Sequence, residues 1–185
     1  MGYVYYTGNI YFITCRTIGA YKFFVEDYAK QIIKLQIRKA QKKFGIKIYG
    51  YVILSNHYHI LIKSSHWRDV PKFLQIVNGG STFLLNRKQG FERRGMWNER
   101  WAKQILTEKS FFNVLGYILG NPYKHGLVKN LLKLYQYGFS SYQELVKRYG
   151  LEYIDNLILN TIALDIDLET EEAFVADMEK VEKIK

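Results

Sequence analysis

The hydrophobic period of this chain switches between two and 3.6 residues in one order, and that order limits its fold more than any other feature. Residues 9–17 (NIYFITCRT) are β-branched and aromatic and partly alternate, as a strand does. Residues 22–43 repeat Phe24, Tyr28, Ile32 and Leu35 at helical spacing, with Lys30, Lys34, Arg38, Lys39, Lys42 and Lys43 as the solvated side. Gly45 is a helix stop. Residues 46–54 and 57–63 read as two strands joined at Ser55-Asn56, an antiparallel hairpin. Residues 69–87 predict a second helix with Val70, Phe73, Leu74 and Val77 on one face, and Asn78-Gly79-Gly80 predicts a kink or a split in it. A fourth strand is expected within 97–107 and a third helix over 108–120, stopped by Pro122. Residues 121–150 read as loop with a short helix from Ser141. The order β-α-β-β-α-β followed by helix is the split βαβ, ferredoxin-like arrangement: an α+β fold with helices packed on an antiparallel sheet. That architecture hosts many functions, so a site must carry the functional argument.

Charge divides the chain in two. Residues 151–185 hold ten acids against three bases, while residues 1–150 hold 24 bases against seven acids. The expected organisation is therefore a basic domain over 1–150 and an acidic, helical C-terminal extension over 151–185. A strongly basic body points to a polyanion, most simply nucleic acid. Candidate contacts are Lys42, Lys43, Arg87, Lys88, Arg93 and Arg94, with the 87–94 cluster near Trp97 the stronger group. In the tail, Leu164, Leu168, Val175 and Met178 suit an amphipathic helix that packs on the body or on a second subunit. Its charge could also screen the basic groove when DNA is absent. The single cysteine, Cys15, excludes an internal disulfide and a multi-cysteine zinc site. No basic n-region precedes an apolar run at the start, and no stretch is long and apolar enough to span a membrane, so a cytoplasmic protein is expected.

Two of the four histidines, His57 and His59, stand two apart at the start of the third strand. Side chains at i and i+2 share a face, so the two imidazoles can meet one divalent metal; they can equally be half-buried and simply hydrogen-bonded. On the third helix Tyr117 lies to the side of the apolar stripe, and Asn121 follows one turn later if the helix persists. The two can aim at a single site, or Tyr117 can rest its ring on the core with its hydroxyl in water. Arg16 is placed to face a site or to form an ion pair. His66, in a loop, and His125, beyond the proline, read as non-ligands.

Five segments in order carry a resemblance. They are Gly8-Asn9-Ile10-Tyr11 with Thr14-Cys15-Arg16-Thr17; Tyr51 to Ile62 (YVILSNHYHILI); Gly95 to Trp101 (GMWNERW); Gly116 to Val128 (GYILGNPYKHGLV); and Ser140-Ser141-Tyr142. Together they resemble the single-tyrosine HUH transposases of small insertion sequences, and within them the REP-associated tyrosine transposases. The resemblance covers residues 8–145 or so, and the ordered combination is specific where single pieces are not. The chain departs from the pattern at Gly120, where a larger residue is usual, at His125, where Ala is common, and at Phe139, near which Trp is common.

The resemblance implies an HUH-nuclease fold and an enzyme that cuts and rejoins single-stranded or hairpin DNA. It implies His57 and His59 as metal ligands, Asn121 as a third, Tyr117 as nucleophile, and Mg²⁺ or Mn²⁺ as cofactor. Related enzymes include homodimers whose sites mix subunits, so a homodimer is among the assemblies implied. A catalytically silent module that binds structured DNA or RNA is the alternative, and a water-using metal nuclease is a third.

Overall fold

The computed structural model describes residues 8–92 and 94–183. Residues 1–7, on which much of the leader-free reading rests, and Arg93 lie outside the described residues. Strands β1 (Ile10–Thr17), β2 (Lys47–Ile53), β3 (His57–Lys63) and β4 (Trp97–Ile105) form one antiparallel sheet in the order β2-β3-β1-β4. That is the expected split βαβ order, with β1 and β3 central. Helices α1 (Asp27–Phe44) and α2 (Asp69–Gln89) cover one face, over Tyr11, Ile13, Cys15, Tyr58, Ile60 and Ile62. The other face, presenting Phe12, Val52, Leu61 and Trp101, lies under α3 (Glu108–Lys124), α4 (Tyr142–Tyr149), α5 (Leu151–Ala163) and α6 (Glu171–Lys183). No helix among the described residues is long and apolar enough to cross a membrane.

Three helix boundaries differ from the periodicity reading. The first helix begins at Asp27 rather than near residue 22, because the Phe24 N–H donates to the Ser55 carbonyl (2.8 Å) and its ring stacks on Trp97 (5.0 Å). Its buried face is Ala29, Ile33, Ile37 and Ala40, and Leu35 faces solvent. The second helix runs unbroken through Asn78-Gly79-Gly80. A Cβ at Gly80 would run into the Gln36 side chain of α1, so this glycine serves a close helix approach and not a kink. The third helix passes through Pro122 and ends at Lys124. A proline forfeits one intrahelical bond. Here the helix closes beyond it, with the His125 N–H on the Asn121 carbonyl (3.0 Å) and Leu127 N–H on the Pro122 carbonyl (2.8 Å).

The acidic segment 151–183 is two helices with a link between them, and it packs on the body. Ile154, Ile158, Leu168, Phe174, Met178 and Val181 join the core beneath α3, although Val175 is exposed. The α3–α5 approach depends on Gly116: a Cβ there would lie 2.6 Å from the Leu157 carbonyl oxygen. Gly116→Ala gains about 1 kcal/mol of helix propensity, but backbone on the far side cannot swing away, and overpacking costs about 1–3 kcal/mol. The net expectation is destabilisation, read as a lower urea midpoint with the slope unchanged.

Candidate active site

Strand alternation brings the first groups together. Phe12, Thr14 and Arg16 on β1 lie on the same sheet face as His57, His59 and Leu61 on β3, and the register pairs Thr14 with His59 and Arg16 with His57. Both imidazoles are buried, with His57 at 2% and His59 at 0% exposure. Each is oriented through Nδ1. The Asn56 amide oxygen lies 2.7 Å from His57 Nδ1 and so must accept its proton, which leaves the Nε2 lone pair open. The Thr14 hydroxyl lies 2.8 Å from His59 Nδ1. The two Nε2 atoms are buried without a hydrogen-bond partner. Polar atoms in that condition need an explanation, and a metal is the usual one for a pair of neutral imidazoles held from behind.

The α3 helix supplies the next groups. Because Pro122 does not end it, Tyr117 and Asn121 sit one turn apart on a continuous helix, both buried. The Tyr117 ring meets His59 edge-on at 5.5 Å, so nucleophile candidate and histidines share one site within one chain. Asn121 Nδ2 donates to the Tyr117 carbonyl (3.4 Å), and its Oδ1 is a further buried atom without a hydrogen-bond partner. Lys124 Nζ is 3.3 Å from the Tyr117 hydroxyl and 4.8 Å above its ring.

Two further residues complete the cluster. His125 sits at the site, its ring 5.2 Å from that of His57. The sequence reads it as a non-ligand beyond the proline; it caps α3 directly after Lys124 and is not one of the three grouped ligand residues His57, His59 and Glu169. The other is Glu169, in the link between α5 and α6, which sequence reasoning did not single out. Its Oε1 accepts from the Tyr117 hydroxyl (2.7 Å) and faces His125 Nε2 (3.0 Å), while Oε2 accepts from Arg16 Nη2 (2.8 Å). His57 Nε2 lies 3.4 Å and His59 Nε2 3.6 Å from this carboxylate. His57, His59 and Glu169 thus offer three ligand atoms within 4.8 Å of one another. The only local signal for Glu169 was the acidity of the tail. Its neighbours bear this out: Asp167 pairs with Lys124 (2.9 Å) and Glu171 with Lys103 (2.7 Å).

The electrostatics follow from burial. Loss of solvent, then the neighbouring His59, pushes His57 down to about 2, and burial lowers His59 as well. Both are neutral, the form that binds metal. Burial alone would raise the Glu169 carboxyl, but His125 at 3.0 Å, with His59 and His57 close by, outweighs it and holds the group far below the usual carboxylate range. Tyr117 is pushed well above the usual phenol value, first by burial and then by the Glu169 charge.

The basic candidates fall in two places. Lys42 and Lys43 lie in the last turn of α1, beside the Lys47–Lys63 end of the sheet and away from His57. Arg87 and Lys88, in the last turn of α2, and Arg94 lie toward the end where β1 meets His57. Lys88 Nζ is 4.2 Å from the Tyr28 ring, and Arg94 lies 4.0 Å from the Phe91 ring and 4.8 Å from that of Phe23.

The family described as transposase IS200 like matches residues 6–121. A Haemophilus influenzae protein bearing the name of a REP-associated tyrosine transposase is 26% identical over 139 residues, which is 66% of this chain and 74% of that protein. A solved structure of a REP-associated tyrosine transposase bound to a REP hairpin superposes with a TM-score of 0.60 at 22% identity, over 80% of this chain and 85% of the other. At that identity the likeness speaks to the fold.

Proposed function

The chain belongs to the IS200-like transposase family, and from that membership we propose that it nicks and rejoins single-stranded DNA beside a hairpin through a 5′-phosphotyrosine on Tyr117. One observation carries the reading. A single anionic group, the Glu169 carboxylate, is held at once by the Tyr117 hydroxyl and by Arg16, facing the open Nε2 atoms of His57 and His59. A site that gathers a nucleophile, cations and metal-type ligands around one anion suits a phosphodiester.

The residues fit a divalent ion: two buried imidazole lone pairs, a carboxylate, and the buried amide oxygen of Asn121. His57, His59 and Glu169 would hold Mg²⁺ or Mn²⁺, with Asn121 as a further oxygen donor. When bound, such an ion supplies Lewis-acid polarisation of the phosphoryl oxygens and charge for the leaving 3′ oxygen.

This chain's own groups do the rest. Arg16 and His125, both lining the mouth of the site, pair with phosphate oxygens as they now pair with Glu169. Tyr117 attacks phosphorus, giving a 5′-phosphotyrosine and a free 3′-OH. In the resting site its hydroxyl is held by Glu169; as the phosphate takes over the Arg16 and His125 contacts the hydroxyl is freed, its proton passes to solvent, and Lys124 stands beside the oxygen as negative charge develops. The ester's energy is kept in the covalent bond, so a second 3′-OH can reverse the step on a new end without ATP. The test is a hairpin carrying single-stranded extensions, end-labelled and incubated with Mn²⁺ or Mg²⁺. The expected product is a labelled protein band on a denaturing gel that chelator prevents. Binding without an adduct under any metal would favour a silent binding module, and cleavage without an adduct a water-using nuclease.

A further inference from the structure

A cleft of about 360 Å³ opens from the site, lined by Arg16, Lys22, Asn56, His57, His125 and Glu169. Lys22 stands at its rim, next to the turn over Ile18–Ala20 that follows the end of β1 at Thr17. In that turn Gly19 (φ 55°) and Ala20 (φ 56°) are consecutive left-handed residues, a conformation an alanine rarely adopts. Strain of this kind persists only where surrounding bonds impose it. Here the Asn56 amide N–H donates to the Ala20 carbonyl (3.0 Å), and Thr17 Oγ1 donates to the Tyr21 carbonyl (2.6 Å). Asn56 is the residue whose other amide atom orients His57. One side chain therefore ties the candidate metal ligand to this turn.

The turn delivers an aromatic side chain into solvent. Tyr21 is 65% exposed, and its ring lies 4.6 Å from that of Phe23. Arg94 lies between Phe23 (4.8 Å) and Phe91 (4.0 Å), and Phe91 is itself 49% exposed. The Arg94 guanidinium is tethered to Gln89, and its carbonyl accepts from Asn86 Nδ2 (2.8 Å). The result is a strip of ring, ring, guanidinium and ring that begins one residue from the cleft. Three rings with the Arg94 cation among them and Lys22 beside them, on a body carrying 24 bases against seven acids, suit unpaired bases and the phosphates between them.

We propose that unpaired DNA beside the cleaved phosphate leaves the cleft over Lys22 and stacks its bases on Tyr21 and Phe23, with Arg94 gripping the strand at the far end. This rests on the phosphotyrosine reading above, and it adds where the flanking strand lies. Base stacking tolerates any sequence, so the platform fixes the path of the strand and leaves the choice of sequence to other contacts.

The test measures affinity by fluorescence anisotropy on the full chain in chelator, so that no cutting intervenes. The probes are a labelled blunt hairpin and the same hairpin with six thymidines added at its 5′ or its 3′ end. Tyr21→Ala is expected to weaken binding of one extended probe on the order of tenfold, and of the blunt hairpin by less than about twofold. Tyr21→Trp should restore it. Abasic sites in the extension should cost wild type the same factor and Tyr21→Ala nothing more. The proposal is overturned if Tyr21→Ala leaves both extended probes unchanged, if the blunt hairpin loses as much, or if wild type binds no probe. Adduct formation by wild type on the extended hairpin, with metal, reports separately on the phosphotyrosine chemistry.

Discussion

Tyr117→Phe should bind hairpin DNA as wild type does and form no covalent adduct, a loss of roughly 10⁴-fold or more in strand cleavage. The size follows from the chemistry: the substitution removes the atom that forms the new bond. The fold should survive. The Tyr117 ring packs edge-on against Phe12 (6.5 Å) and His59 (5.5 Å), and phenylalanine keeps both contacts. Glu169 loses the 2.7 Å bond from the hydroxyl but retains Arg16 and His125. Near-wild-type thermal unfolding together with an empty adduct lane would therefore isolate the nucleophile. An adduct that persists would move the role elsewhere, with Tyr123, 40% exposed on the same helix, the first place to look. The resting phenol is held protonated by burial and by Glu169. Substrate must change that balance, which suits a site that stays unreactive until DNA arrives.

The second large effect is expected at the histidines. His59→Gln should cost about 10³-fold in metal-dependent cleavage, the several kcal/mol that Lewis-acid stabilisation provides. Activity is not the only readout. Ligand at about 100 times its Kd stabilises a folded protein by about 2.7 kcal/mol. Mn²⁺ should thus raise the unfolding temperature of wild type and leave that of His59→Gln unmoved. Glutamine is preferred to alanine because His59 is fully buried and Thr14 would otherwise lose its partner. Glu169→Gln should also lose most of the Mn²⁺ shift. If it kept the shift and cleaved faster than wild type, the carboxylate would be a competitor of the DNA phosphate rather than a ligand.

The parts of the molecule governed by short-range pattern were legible from the chain. The order of the elements pointed to the split βαβ sheet, and alternation along β3 put His57 and His59 on one face. The failures have one cause, which is that tertiary packing outweighs local preference. Phe24 has helical spacing, but its backbone is claimed by Ser55. Gly79-Gly80 looks like a break and is a helix contact. Pro122 should stop a helix, yet ten of the residues from Ser110 to Pro122 are buried, and that packing carries α3 past it. Reading α3 as shorter left no reason to place His125 beside His57, 5.2 Å away. Glu169 was illegible for a further reason: it reaches Tyr117 across 52 residues of sequence, and no periodicity reports a contact of that span.

That span bears on when the protein can first act. The groups around one anion come from positions 16, 57, 59, 117 and 125, and the anion itself from position 169. A ribosome makes them in that order. The histidines and the tyrosine exist well before the carboxylate that ties them together, and before the α5 and α6 side chains that roof them are free to pack. A nascent chain is thus strongly basic, with 24 bases against seven acids through residue 150, before its site is complete. Messages broken before the last helices would yield protein that keeps the basic body and lacks Glu169, the group that draws Tyr117, Arg16 and His125 together.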